Sequence, residues 1–184
     1  MERQRLVKSI EITLWALGLA VAGWAIYGFP YSKIDVPMAA FFFLTIAIGA
    51  KVTIQIPRFK SYISASETFI FLGLLIYGGE AAVLLATAEA FATSWTFCKK
   101  KRTVFVNAAA IAISTFFAVS VLKYAGVYEH FHSYNAHPRA FLTALLLLAL
   151  VQFLVNTTLA STYAAVRDGK PLFDTWQRSI FGHS

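Results

Sequence analysis

Five long apolar runs, at residues 13–29, 36–50, 69–97, 104–122 and 140–166, take up most of this chain. A helix that crosses the hydrocarbon core of a bilayer needs about 20 apolar residues. Within lipid every backbone polar group must be satisfied inside its own segment, so runs of this kind specify helices. The composition agrees: 58% of residues are hydrophobic and 14% charged, against about a quarter charged in an ordinary soluble domain. The sequence therefore reads as a single all-α integral membrane domain over residues 1–184.

The run at 69–97 is too long for one ordinary span, and Gly78-Gly79 divides it. Two helices joined by a tight turn at those glycines, the first beginning near Ile63, bring the prediction to six spans: about 12–29, 36–51, 63–78, 79–97, 103–125 and 139–166. Cytoplasmic loops carry an excess of Lys and Arg, which tests both count and orientation. With the N-terminus inside, thirteen of the sixteen basic residues fall inside, among them Arg3, Arg5, Lys8, Arg167, Lys170 and the cluster from Lys99 to Arg102. Only Lys33, Lys123 and Arg139 fall outside or near the outer boundary. Merging the third and fourth spans would put the Lys99 cluster on the wrong side. The expectation is a multi-pass protein of a bacterial inner membrane with both termini cytoplasmic. The first run is read as a retained span rather than a cleaved signal, because it extends to Phe29 and further spans follow. The net charge of +7 is assigned to topology and not to nucleic acid, since the basic residues form short clusters without a basic helix or aromatic-studded sheet.

Three segments lie off the spans. In "KVTIQIPRFK", residues 51–60, Val52, Ile54 and Ile56 alternate with polar neighbours, a strand-like or interfacial pattern that Pro57 ends. The outer loop, 127–138, is rich in His and aromatic residues. After the sixth span, Asp168-Gly169-Lys170-Pro171 is a helix stop, and Leu172, Trp176 and Ile180 recur every four residues, so 171–184 reads as an amphipathic segment on the inner membrane surface.

Glu89 is the residue that most needs a reason. It stands ten residues from Gly79 and nine from Cys98, about 13–15 Å from either end of its helix. A carboxylate at that depth is costly unless paired, protonated or facing a wet cavity, which makes it a functional-site hypothesis. Ala82, Ala86, Ala90 and Thr93 share its helical face and permit close helix approach. On the sixth span Gln152, Asn156 and Tyr163 fall on roughly one face, with Asn156 near the depth of Glu89. Asn107 and Ser114 add polar groups from the fifth span. Two readings stand side by side: a polar pocket for a small-molecule ligand built from Glu89, Asn107, Gln152, Asn156 and Tyr163, or interhelical hydrogen bonds of about 1 kcal/mol each.

Glu80 follows the glycine turn, where a carboxylate complements the helix dipole, and Glu67 reads as a second helix-terminus charge. Gly78-Gly79-Glu80 does not extend into a cyclase signature, because Ala81-Ala82 follow it. His130, His132 and His137 with Glu129 are the one cluster of metal-ligand types, and their loop spacing predicts no metal site. The lone Cys98 excludes an internal disulfide. Without HExxH, P-loop, GxSxG or a cysteine pair, no enzyme, no catalytic residue and no cofactor is expected.

The stretch "ISASETFIFLGLLIYGGEAAVLLATAEAF", with "IPRF" before it and "VFVNAAAIAIST" after it, resembles the N-terminal multi-helix membrane sensor regions (MASE-like) that precede GGDEF or HD-type output domains in bacterial signalling proteins. The residues that carry the resemblance are Ser64, Ser66, Thr68, Phe69, Gly78, Glu80, Phe105, Asn107 and Ala109, over about 120 residues. The ending "VRDGKPLFDTWQRSIFG" looks like the link such regions make to an output segment. The resemblance implies a sensory, ligand-binding role coupled to a cytoplasmic output domain or protein partner. The architecture is also similar to the substrate-binding subunit of energy-coupling-factor vitamin transporters, with small residues on the first helix (Ala16, Gly18, Ala20, Ala22, Gly23) suited to a transmembrane partner. A membrane scaffold is the third reading. Oligomeric state is not fixed by any of these features.

Overall fold

The computed structural model describes residues 2–51, 53–56, 61–64, 66–98, 100–126 and 138–181. Seven α-helices account for nearly all of them: α1 (Glu2–Tyr27), α2 (Val36–Lys51), α3 (Ser66–Tyr77), α4 (Gly79–Phe97), α5 (Lys101–Tyr124), α6 (Pro138–Asp168) and α7 (Leu172–Phe181). The apolar helices fall where the hydrophobic runs place them. Two short strands, β1 (Thr53–Ile56) and β2 (Ser61–Ser64), pair antiparallel between α2 and α3, with Thr53 opposite Ser64 and Ile56 opposite Ser61.

The first strand falls in the segment read as strand-like or interfacial, and the chain is otherwise helical over its described residues. The hairpin moves the start of the third helix from Ile63 to Ser66, because residues 61–64 are committed to the ladder. Twelve residues of α3 rise about 18 Å, short of the roughly 30 Å of a hydrocarbon core. Among the described residues three helices are long and apolar enough to cross a membrane: α1, α5 and the Phe141–Asp168 part of α6. The six predicted spans correspond to these three long apolar helices, the 19-residue α4, and the shorter α2 and α3.

Small residues line the central helix contacts, and Leu85, Leu122 and Leu148 fill the core between them. Helix α4 lies against α1, α2, α3 and α5, and α5 lies against α1, α4 and α6. Both present alanines to these contacts: Ala81, Ala82, Ala86 and Ala90 on α4, and Ala108, Ala109, Ala110, Ala112 and Ala118 on α5, are all buried. Other large apolar side chains point away from the bundle, with Leu19 at 74%, Phe43 at 76% and Leu146 at 70% exposure. A helix buried nearly all round must be apolar or small on every face, and α5 meets that condition.

Local chemistry sets the joints. Gly78 connects α3 to α4 at φ 98°, a conformation with little penalty only for glycine. Gly79 then lets α4 approach α5 so closely that an added Cβ would come 2.5 Å from Val119 Cγ1. Glu80, in the first turn of α4, does more than complement the dipole: Lys123 Nζ of α5 donates to its Oε1 at 2.8 Å. At the other end of the bundle α6 stops at Asp168, Gly169 takes φ 67°, and the Lys170 amide donates to Ala165 O at 3.0 Å. Arg3 of α1 reaches these terminal carbonyls, its Nε donating to Val166 O at 3.2 Å and its Nη2 to Arg167 O. Helix α1 therefore begins ten residues before the predicted span, because its charged first turns cap α6.

Candidate functional site

The five residues expected at a polar pocket do come together. A cavity of about 430 Å³ lies between α3, α4, α5 and α6, and Glu89, Asn107, Gln152, Asn156 and Tyr163 all line it. Helical spacing explains the assembly. On α6, Gln152, Asn156, Ala160, Tyr163 and Arg167 follow one face at three- and four-residue intervals. On α5, Thr103, Asn107 and Ala110 do the same, and on α4, Glu89 and Thr93 stand one turn apart.

Glu89 forms a buried wall of this cavity, with 6% of its surface exposed. Thr93 Oγ1 donates to Glu89 Oε1 at 2.8 Å. The carboxylate rests against α2 at Gly49, where an added Cβ would lie 2.8 Å from Glu89 Cγ and 2.9 Å from Cδ. Asn107 Nδ2 donates to Ser94 Oγ at 3.2 Å. Gln152 is buried at 6% exposure, and among the described residues its Oε1 has no hydrogen-bond partner. Ser114 departs from the sequence reading. It is fully buried, its Oγ donates to Ile111 O at 3.0 Å within α5, and it takes no part in the cavity wall.

A second chamber of about 360 Å³ adjoins the first, lined by Val7, Glu11, Lys100 and Arg102. Thr103, Tyr163 and Arg167 line both chambers and form the partition. Tyr163 Oη donates to the buried Glu11 Oε1 at 2.9 Å, and Arg102 Nη1 approaches Glu11 Oε2 at 4.0 Å. The Arg167 guanidinium lies 5.8 Å from the centre of the Tyr163 ring and is engaged on both sides by Asp168, with Nε to Oδ1 at 2.8 Å and Nη2 to Oδ2 at 3.1 Å.

Sequence reasoning missed Glu11 and Glu67. Glu11 precedes the expected span and looks like an interfacial charge, but Glu11, Leu14, Gly18 and Ala25 are the buried face of α1, and their spacings of three, four and seven mark a packing stripe. Glu67 occupies the first turn of α3, as expected of a terminus charge, and lines the cavity as well. A third, apolar groove of about 620 Å³ lies between α1, α4 and α5, walled by Trp15, Gly18, Ala22, Phe91 and Phe105.

Among the described residues no three His, Cys, Asp or Glu side chains gather as metal ligands; the His130, His132, His137 and Glu129 cluster lies outside those residues. Comparison with protein-family models, curated proteins and solved structures gives no match for this chain.

Proposed function

We propose that this chain is a membrane-embedded sensory module that binds a small molecule in the polar cavity between α3, α4, α5 and α6. The observation that carries the reading is the convergence of Glu89, Asn107, Gln152, Asn156 and Tyr163, from three helices, on one cavity of about 430 Å³, a volume within the roughly 300–1,000 Å³ of small-molecule sites.

The membrane setting is supported by three helices of sufficient length and apolarity and by the exposed Leu19, Phe43 and Leu146 on the bundle exterior. The basic-residue count favours a bacterial inner membrane with six crossings and both termini cytoplasmic. Helix α6 contributes Gln152, Asn156 and Tyr163 to the cavity and passes through Gly169 into the amphipathic α7. Ligand occupancy is transmitted along α6 to α7, and from there to a cytoplasmic output domain or partner, in keeping with the resemblance to membrane sensor regions of GGDEF and HD-type proteins.

The test is thermal stability of the purified chain against a metabolite and vitamin panel, comparing wild type with Glu89→Gln and Gln152→Leu. Ligand-dependent stabilisation of wild type that either variant abolishes supports the reading. Identical unresponsive profiles leave the polar residues as helix contacts and favour a scaffold. The apolar groove beside Gly18 and Ala22 favours a second reading, a vitamin-type transport subunit whose first helix docks a membrane partner. Copurification with an ATPase and ligand uptake would select it.

A further inference from the structure

We propose that the groove between α1, α4 and α5 binds an anionic phospholipid of the inner leaflet, with an acyl chain in the groove and the phosphate at Lys8 and Lys101. The proposal rests on the membrane setting with an inner N-terminus and is independent of the polar cavity.

Three helical stripes line the groove and lead to the same end of the bundle. On α5, Phe105, Ala108 and Ala112 continue back to Lys101 at intervals of three and four residues. On α1, Trp15 and Ala22 stand seven residues apart, and one more step of seven reaches Lys8. On α4, Leu84, Ala88 and Phe91 lead on to the half-exposed Trp95. Lys101 Nζ stands 5.3 Å from the centre of the Trp95 ring, which holds its charge beside the inner end of the groove. Lys8 and Lys101 are exposed and lie about 10 and 6 Å beyond Trp15 and Phe105 along their helices. Lys101 also begins α5, whose first-turn amides favour a phosphate. Glu11, the acidic residue between Lys8 and Trp15, turns away to Tyr163 and Arg102.

Shape and charge favour a lipid over a helix. The groove holds about 620 Å³, and the exposed Leu19, Ala88 and Phe105 leave it open along the bundle surface. Helices α1 and α4 close it at the outer end, where an added Cβ on Gly28 would lie 3.2 Å from Glu80 Cγ. At the inner end Phe105 holds them apart, its ring centre 5.9 Å from that of Trp15 and 5.6 Å from that of Phe91. A cleft closed at one end admits a chain that reaches part-way across the bilayer, whereas a transmembrane helix runs through its whole thickness. The lining is almost wholly carbon, and the Thr87 hydroxyl in it already donates to Val83 O at 2.6 Å. A helix crossing beside α1 carries inner basic residues of its own, so a second copy would bring lysines toward lysines. An anionic phospholipid brings the opposite charge.

The experiment uses the full chain in dodecyl maltoside, titrated with dioleoyl phosphatidylglycerol or dioleoyl phosphatidylcholine, with bound lipid counted by native mass spectrometry. Carbonate washing of the membranes comes first; a chain released by it overturns the membrane setting and the lipid site together. Phosphatidylglycerol is expected to bind about thirtyfold more tightly than phosphatidylcholine, the attraction of two lysines. Lys8→Gln and Lys101→Gln should each lower that preference about fivefold. The control Lys170→Gln, at an exposed lysine outside the groove, should leave it unchanged. Ala88→Phe, which fills the groove from its open side, should weaken both lipids, and binding that it leaves intact overturns the groove as the site. Equal affinity for the two lipids, or a preference that Lys170→Gln lowers as much as Lys101→Gln, overturns the anionic assignment. A dimer free of lipid that Ala88→Phe abolishes overturns the proposal in favour of a second copy. No lipid adduct on a chain that withstands carbonate overturns the lipid site alone and leaves the membrane setting intact.

Discussion

Two glycines on α1 should respond in opposite directions to the same substitution. At Gly18 an added Cβ would lie 2.6 Å from Ala109 Cβ and 2.9 Å from Ala109 Cα, whereas at Gly23 nothing stands within 4 Å. Carbon atoms pack best at about 3.5–4.0 Å, so Gly18→Ala requires α1 and α5 to part by about 1 Å. One of the atoms met is backbone, so no rotamer change relieves the clash. Overpacking of this kind costs about 1–3 kcal/mol. Gly23→Ala carries no such cost and removes the entropic penalty of a helical glycine, a gain of about 0.5–1 kcal/mol. The entropic gain is common to both helical glycines, so the two variants should separate by the overpacking cost, about 1–3 kcal/mol. Reversible unfolding in mixed dodecyl maltoside and sodium dodecyl sulfate micelles, followed by the helical circular dichroism signal, measures both. Equal stabilisation by the two substitutions would refute close packing of α1 on α5.

Other substitutions probe the remaining joints. Gly49→Ala should displace the Glu89 carboxylate, whose Cγ would lie 2.8 Å from the new Cβ; the expected cost is about 1–3 kcal/mol in the same unfolding assay, with loss of any ligand-induced thermal shift. Tyr163→Phe removes the 2.9 Å hydrogen bond to Glu11 and should cost about 1 kcal/mol, while a loss below the assay's error would mean that Glu11 finds an equal partner. Lys123→Met breaks the 2.8 Å pair with Glu80, whose side chains are 41% and 19% exposed. At such a site the loss should stay below about 1 kcal/mol and shrink as salt is added.

Much of this architecture is legible in the chain because it rests on local signals. The Gly78 turn, the stop at Gly169 and the amphipathic α7 each depend on a few adjacent residues, and α2, α4, α5 and α6 begin and end within a few residues of their apolar runs. The hairpin was half visible: the alternation over 51–60 marks its first strand, but the pairing of residues 61–64 competes with an apolar run that reads equally well as helix. Long-range partners leave no local trace. Tyr163 and Glu11 are 152 residues apart, and only the packing of α1 beside α6 makes them neighbours. The face bearing Gln152, Asn156 and Tyr163 was readable from helical period, whereas the presence of Glu67 at the same cavity depends on how α3 returns along α4.

The most direct test of the cavity is whether water-borne reagents reach it. With Cys98 replaced by Ser, the variants Asn156→Cys and Leu148→Cys place single thiols on α6, one at the cavity wall and one in the apolar core. Both are treated with a trimethylammonium-ethyl methanethiosulfonate, which reacts only where water carries it. The account predicts fast modification at position 156 and none at the fully buried position 148. Equal protection at both positions would contradict an open polar cavity and leave its side chains as contacts between helices.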